Sequence, residues 1–188
     1  MGKSTVAAQF RRAHIRVFDA DREVHRLQGP GGAAVQAIGA AFPGVLTGYP
    51  PRVDRSGLRA IVLADPAALH RLEGILHPAV RLAQARFLRH ARAARQHLVV
   101  LDIPLLFETG GARRTGAVMV VSAPPSVQRA RVRARRRMTN AQIDVIIAKQ
   151  WPDRERRRRA DVVIQTGLSR RHANIKVRRF LLTAKDRR

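Results

Sequence analysis

The sequence predicts an α/β domain, a parallel sheet flanked by helices. Short apolar runs alternate with amphipathic stretches of helical spacing along the whole chain. One run, Leu98-Val99-Val100-Leu101, is apolar at every position, as a parallel strand covered on both faces must be. No repeat and no Ser/Gly-rich linker divides the 188 residues, which suffice for one domain with its own hydrophobic core.

The elements follow in order. A helix is expected from about Lys3, with Val6, Phe10 and Ala13 on its core face. Ile15–Phe18 reads as a short buried strand closed by Asp19 and Asp21. Gly29-Pro30-Gly31-Gly32 is a turn ahead of a helix carrying Val35, Ile38 and Phe42, and Thr47–Val53 is a Gly/Pro-rich loop. Asp65-Pro66 supplies an N-cap and a proline at the first helical position. Leu69, Leu72 and Leu76 then form one stripe. Pro78, lacking an amide proton, is expected to kink or restart that helix before Val80, Ala83 and Phe87. Leu98–Leu101 and Val118–Val121 are strands, and Pro124-Pro125 opens an arginine-laden helix. Thr139-Asn140-Ala141-Gln142 fits a capping box for a helix burying Ile143, Ile146 and Ile147. Val162–Ile164 is the last strand, and a final helix turns Ala173, Val177, Phe180 and Leu181 inward.

Composition narrows the chemistry. Cysteine is absent, which excludes disulfides and thiolate metal sites. No stretch approaches the roughly 20 apolar residues of a membrane span, and no signal-like segment opens the chain, so a soluble cytoplasmic protein is expected. Lys and Arg total 37 against 13 acidic residues, a net charge of +24. Such a field attracts polyanions such as nucleotides or nucleic acid, unless the arginines merely decorate a solvated surface. A nucleic-acid reader would interleave aromatic residues with basic ones, yet the chain has one Trp, one Tyr and six Phe. Of these, Trp151 alone lies near the arginine runs.

Gly2-Lys3-Ser4-Thr5 is the second half of a P-loop, in which backbone amides and a helix N-terminus face phosphate. In such loops the lysine reaches the β/γ-phosphates and the Ser or Thr hydroxyl binds Mg²⁺. The next strand ends in Asp19-Ala20-Asp21, with His25 four residues on. Downstream stand Leu76-His77-Pro78, Asp102-Ile103-Pro104-Leu105-Leu106-Phe107-Glu108 and Ala160-Asp161-Val162-Val163-Ile164. With this ordered set the chain resembles the dephospho-CoA kinase family over essentially its whole length. A non-catalytic nucleic-acid-binding protein and another P-loop nucleoside or nucleotide kinase are the alternatives, since the fold hosts many substrates.

The resemblance implies a P-loop kinase domain over 1–188, with a helical substrate-binding region at 22–95 and an arginine-rich lid at 126–159. It implies ATP-dependent phosphorylation of the ribose 3′-hydroxyl of dephospho-CoA, with ATP and Mg²⁺ bound. Gly2, Lys3, Ser4 and Thr5 would hold the ATP phosphates, and Thr166 and Gly167 would border its adenine. Asp21 would take or orient the hydroxyl proton, while Asp19 and Asp21 also read as a helix N-cap pair. His25, His77, Pro104, Leu105 and Glu108 would lie beside the substrate. His77 reads equally as a structural histidine, and Glu108 as a cap. Asp102 with Ser4 would serve Mg²⁺, or Asp102 would bond the loop hydroxyl. Of Arg129, Arg131, Arg133, Arg135, Arg136 and Arg137, the resemblance assigns Arg131 and Arg135, one helical turn apart, to the phosphates. Arg135 would also neutralise charge during transfer. Gln150 resembles a lid-side glutamine, and Arg154–Arg159 reads as mostly surface. In P-loop kinases a central strand precedes the loop, so the resemblance also implies that the first strand and half of the loop are missing here. Either Met1 is internal to a longer protein, the preferred account, or the chain is shortened and its folding and activity suffer. The oligomeric state is not written in these motifs.

Overall fold

The computed structural model describes residues 2–104, 106–108, 110–136, 151–167 and 169–186. Two compact units divide it, one formed by Met1–Val17 with Pro104–Arg188 and the other by Phe18–Ile103. Both combine strands with covering helices, as the α/β expectation requires.

In the first unit, helix α1 (Lys3–Arg12) buries Val6, Ala7 and Phe10. Each large apolar side chain so removed from water contributes about 1.5–3 kcal/mol. The Phe10 ring meets Phe180 edge-on, at 6.2 Å between centroids and 82° between planes. Ala13 was expected on that face but is exposed, because the helix has ended at Arg12. Strand β1 (Arg16–Asp19) follows and leads into the second unit.

There, α2 (Ala20–Leu27) and α3 (Val35–Ala41) precede a short antiparallel hairpin, β2 (Leu46–Thr47) with β3 (Arg52–Val53). The Gly/Pro-rich stretch expected to be loop therefore carries a two-residue ladder around its turn. Backbone bonds from Val53 to Gln28 (3.0 Å) and from Asp54 to Val45 (2.7 Å) pin it down. Helix α4 (Arg55–Ala64) and the long helix α5 (Pro66–Ala93) complete the cover. Leu27, Val35, Ile38, Phe42, Leu58 and Leu72 are among the core residues they enclose. Asp65 caps α5, accepting from the Ala67 amide at 2.8 Å. Pro78 does not restart this helix, which runs on unbroken to Ala93. Pro78 and Gly74 are both exposed, so the Gly74 carbonyl that loses its amide partner faces water. Strand β4 (Val99–Asp102) pairs with β1.

Back in the first unit, β5 (Met119–Ser122) and β6 (Val162–Gln165) pair in parallel, with Met119 opposite Val162 and Ser122 opposite Gln165. Asp161 fixes the start of that register. Its carboxylate accepts from the Val118 amide at 2.7 Å, and its own amide donates to the Val118 carbonyl at 2.9 Å. Helix α6 (Pro125–Arg136), the short α7 (Asp153–Arg158) and α8 (Arg170–Asp186) flank the pair, and α8 buries Ala173 and Val177. All four expected strands are present, each ending one residue later than its apolar run; at the ends of β5 and β6 the polar residues Ser122 and Gln165 still pair. The capping box at 139–142, Ile143, Ile146, Ile147 and Gln150 lie outside the described residues.

Candidate active site

Helix α1 starts on Gly2, which has φ +93° and no side chain to cap with. Its carbonyl accepts from the amides of Thr5 (3.0 Å) and Val6 (3.1 Å). Lys3, Ser4 and Thr5 thus occupy the first turn, where unpaired helix amides carry partial positive charge and suit an anion. Ser4 is exposed, and Lys3 and Thr5 are half-buried. A shallow cavity runs along the flank of α1, lined by Ser4, Thr5, Ala8, Gln9, Arg12 and Asn174.

The left-handed φ of Gly2 favours glycine, and a side chain there would also crowd its neighbour. A Cβ there would stand 3.0 Å from three side-chain atoms of Thr166, the residue just beyond β6. Thr166 in turn holds Arg131 of α6, whose Nη1 donates to Thr166 Oγ1 (3.2 Å) and Nη2 to the Thr166 carbonyl (2.7 Å). Three residues assigned to the nucleotide from separate stretches of sequence therefore meet at the start of α1. Gly167 packs onto the end of the β5 loop, where a Cβ would fall 2.4 Å from Pro124 Cδ. The side chain of Arg135 lies outside the described part of the structure, as does Leu105.

Pro104, half-buried, opens the turn that leads to Glu108. Glu108 Oε1 accepts from the Trp151 amide at 2.7 Å. The Phe107 and Trp151 rings stack at 5.7 Å, and the Arg159 guanidinium covers Trp151 at 4.5 Å. Trp151 is thus held by a carboxylate, a ring and a cation. Arg156, read from sequence as surface, leaves 14% of its side chain exposed and pairs with Asp153 at 3.1 Å.

In the other unit, Asp19 caps α2, accepting from the Arg22 amide at 3.0 Å. Asp21 is exposed in the first turn, and among the described residues no hydrogen bond or ion pair engages it. His25, one turn on and also exposed, lies with its Nδ1 against the Arg55 guanidinium. Since arginine only donates, Nδ1 accepts there. His77 is exposed on α5, and Asp102 is buried at the end of β4. Among the described residues, no group of three or more His, Asp or Glu side chains gathers for a metal.

Sequence reasoning missed Ser122 and Asp153. Ser122 Oγ donates to Asp153 Oδ2 at 2.7 Å, and the Ser122 carbonyl accepts from both the amide (2.8 Å) and the hydroxyl (3.1 Å) of Thr166. The only signal was their position, a serine closing a strand and an aspartate after Pro152.

The dephospho-CoA kinase family model matches residues 1–170. The chain belongs to this family. A dephospho-CoA kinase of Gluconobacter oxydans is 51% identical over 176 residues, covering 92% of this chain and 87% of that protein. One of Paramagnetospirillum magneticum is 56% identical over 157 residues, covering 84% and 73%. Among solved structures, a Thermus thermophilus protein superposes with a TM-score of 0.78 at 31% identity, over 97% of this chain and 91% of its own. Dephospho-CoA kinase from Campylobacter jejuni superposes with a TM-score of 0.72 over 100% and 94%, and its 21% identity speaks for the fold alone. Like its relatives, this family member is a kinase. No described helix is long and apolar enough to cross a membrane.

Proposed function

We propose that this chain transfers the γ-phosphoryl group of ATP to the ribose 3′-hydroxyl of dephospho-CoA, acting in the cytoplasm. The observation that carries the reading is the meeting of Gly2, Thr166 and Arg131 at the α1 N-terminus, within a chain of this family. Phosphoryl transfer asks the protein chiefly for positioning and charge neutralisation. The α1 amides and Lys3 bind the phosphates, and Arg131 with Arg135 neutralises charge that shifts onto them. The exposed Asp21 carboxylate accepts the hydrogen bond of the ribose hydroxyl and orients its oxygen for attack. By family resemblance His25, His77, Pro104, Leu105 and Glu108 are assigned to the pantetheine-bearing substrate. The region 22–95 supplies the acceptor side and 126–159 the arginines over ATP.

Mg²⁺ suits the donor types present, the Ser4 hydroxyl and the Asp102 carboxylate, both hard oxygens. Held by these residues, it would supply positive charge that offsets the negative charge of the phosphates. A coupled assay with ATP, Mg²⁺ and dephospho-CoA, followed by mass spectrometry of the product, tests the assignment. One added phosphate at the 3′ position is the expected result. A folded chain that binds ATP yet leaves dephospho-CoA unmodified, while phosphorylating another nucleoside, would reassign it.

A further inference from the structure

Thr166 stands where five contacts meet. Its amide and hydroxyl both donate to the Ser122 carbonyl, its hydroxyl and carbonyl oxygens both accept from Arg131, and its side chain closes against Gly2. We infer that Thr166 is a positioning residue that acts through Arg131, fixing the guanidinium for the ATP phosphates rather than reading the base. The inference rests on the kinase function proposed above.

A threonine hydroxyl has a single proton, and here it points to the Ser122 carbonyl at 3.1 Å. A lone pair is therefore left for Arg131 Nη1 at 3.2 Å, while the Thr166 carbonyl takes Nη2 at 2.7 Å. The two acceptors match the fork of the guanidinium and hold its plane. A guanidinium has more N–H donors than these two contacts use, so the others remain for a phosphate. The acceptor pair is itself well fixed. Ser122 is 3% exposed, pairs with Gln165 in the sheet and donates its hydroxyl to Asp153. An arginine restrained in this way has lost much of its rotamer freedom before a ligand arrives, which favours binding by preorganisation. The side-chain atoms of Thr166 that face Gly2 bring this restraint to the first turn of α1.

Only the hydroxyl half of the restraint can be removed by substitution. Thr166→Val keeps the shape against Gly2 and loses the hydroxyl, whereas Thr166→Ser keeps the hydroxyl. Titration calorimetry with ATP, together with steady-state kinetics, should be run on both variants, on Arg131→Met and on Thr166→Val combined with Arg131→Met. Thr166→Val should weaken ATP about 5- to 20-fold, with the KM for dephospho-CoA unchanged. That is less than the roughly 10- to 150-fold that a whole hydrogen bond to a charged group carries, because the Thr166 carbonyl still holds Nη2. Thr166→Ser should stay within about 2-fold of the parent. In the Arg131→Met background Thr166→Val should add nothing, because the group it acts through is gone. Thr166→Ala repeats the cycle should the valine variant misfold. An unchanged ATP affinity in Thr166→Val, or a loss that persists in full without the guanidinium, would overturn the inference. A parent chain that binds ATP without phosphorylating dephospho-CoA would overturn the functional reading alone, and the ATP titrations would still decide the role of Thr166.

Discussion

Asp21 stands in the first turn of α2 with its carboxylate exposed, while Asp19 does the capping. The cap bond thus belongs to Asp19, and the role proposed for Asp21 is one that its exposed carboxylate leaves open to test. Asp21→Asn keeps the shape and removes the base, so kcat should fall about 10²- to 10⁴-fold with little change in ATP affinity. Steady-state kinetics beside an ATP titration checks this, and a variant of parental kcat would take the role from Asp21. Glu108 poses a different choice, because one of its oxygens already accepts from the Trp151 amide at 2.7 Å. Glu108→Gln retains an acceptor oxygen, whereas Glu108→Ala leaves that partly buried amide unsatisfied. The alanine variant should therefore lose about 1–3 kcal/mol of stability in denaturant titration, and the glutamine variant clearly less. If Glu108→Gln nonetheless loses activity at parental stability, the carboxylate touches substrate as well.

Helices were legible where their ends carry chemistry. Asp65-Pro66 announced α5, and the structure shows the cap bond that the pair implies. Helix α4 went unplaced because its signal is a bare Asp54, yet that carboxylate accepts from the Ser56 amide at 3.0 Å and also bonds the Ser56 hydroxyl. The β2–β3 hairpin was hidden in a loop composition, since two residues per strand leave no alternation to read. Of the two outcomes expected at Pro78, a kink or a restart, the structure excludes the restart, since the helix continues through it and is held by the core on its other face. Both caps yield expectations. Asp65→Ala should cost about 1 kcal/mol in thermal or urea unfolding. The Asp54 carboxyl is held below its ordinary value, first by the Ser56 hydroxyl and then by the Gly57 and Ser56 amides. A lowered folded pKa stabilises above the unfolded value and is lost as pH falls through the folded one. Asp54→Ala should therefore melt below the parent at pH 7, and the gap should close on acidification below about pH 4. A gap that stays constant into acid would show that the carboxylate charge is not what caps α4.

For the molecule as a whole, the order of motifs revealed the family, but the contacts that organise the nucleotide half could not be read from spacing. Gly2, Ser122, Arg131, Asp153 and Thr166 come from separate elements and are linked around the ends of the parallel strands β5 and β6. Charge is the whole-molecule property that sequence left ambiguous. A formal net charge of +24 is far more than one triphosphate needs, so the chain should draw polyanions at low salt whatever its function. The structure bears on how it would hold them. Trp151, the one tryptophan, already stacks on Phe107 and lies under Arg159, which leaves it poorly placed to receive a base. Binding to nucleic acid should then be electrostatic alone. Fluorescence anisotropy with single-stranded and duplex DNA of several sequences should give similar affinities, with log K falling linearly in log salt. Between about 50 and 200 mM KCl the affinity should drop by orders of magnitude. Over the same range ATP should lose far less if, as proposed, hydrogen bonds from the α1 amides and the remaining Arg131 N–H groups add to its Coulombic attraction. Tight, sequence-selective binding that survives physiological salt would instead give the basic surface a nucleic-acid partner of its own.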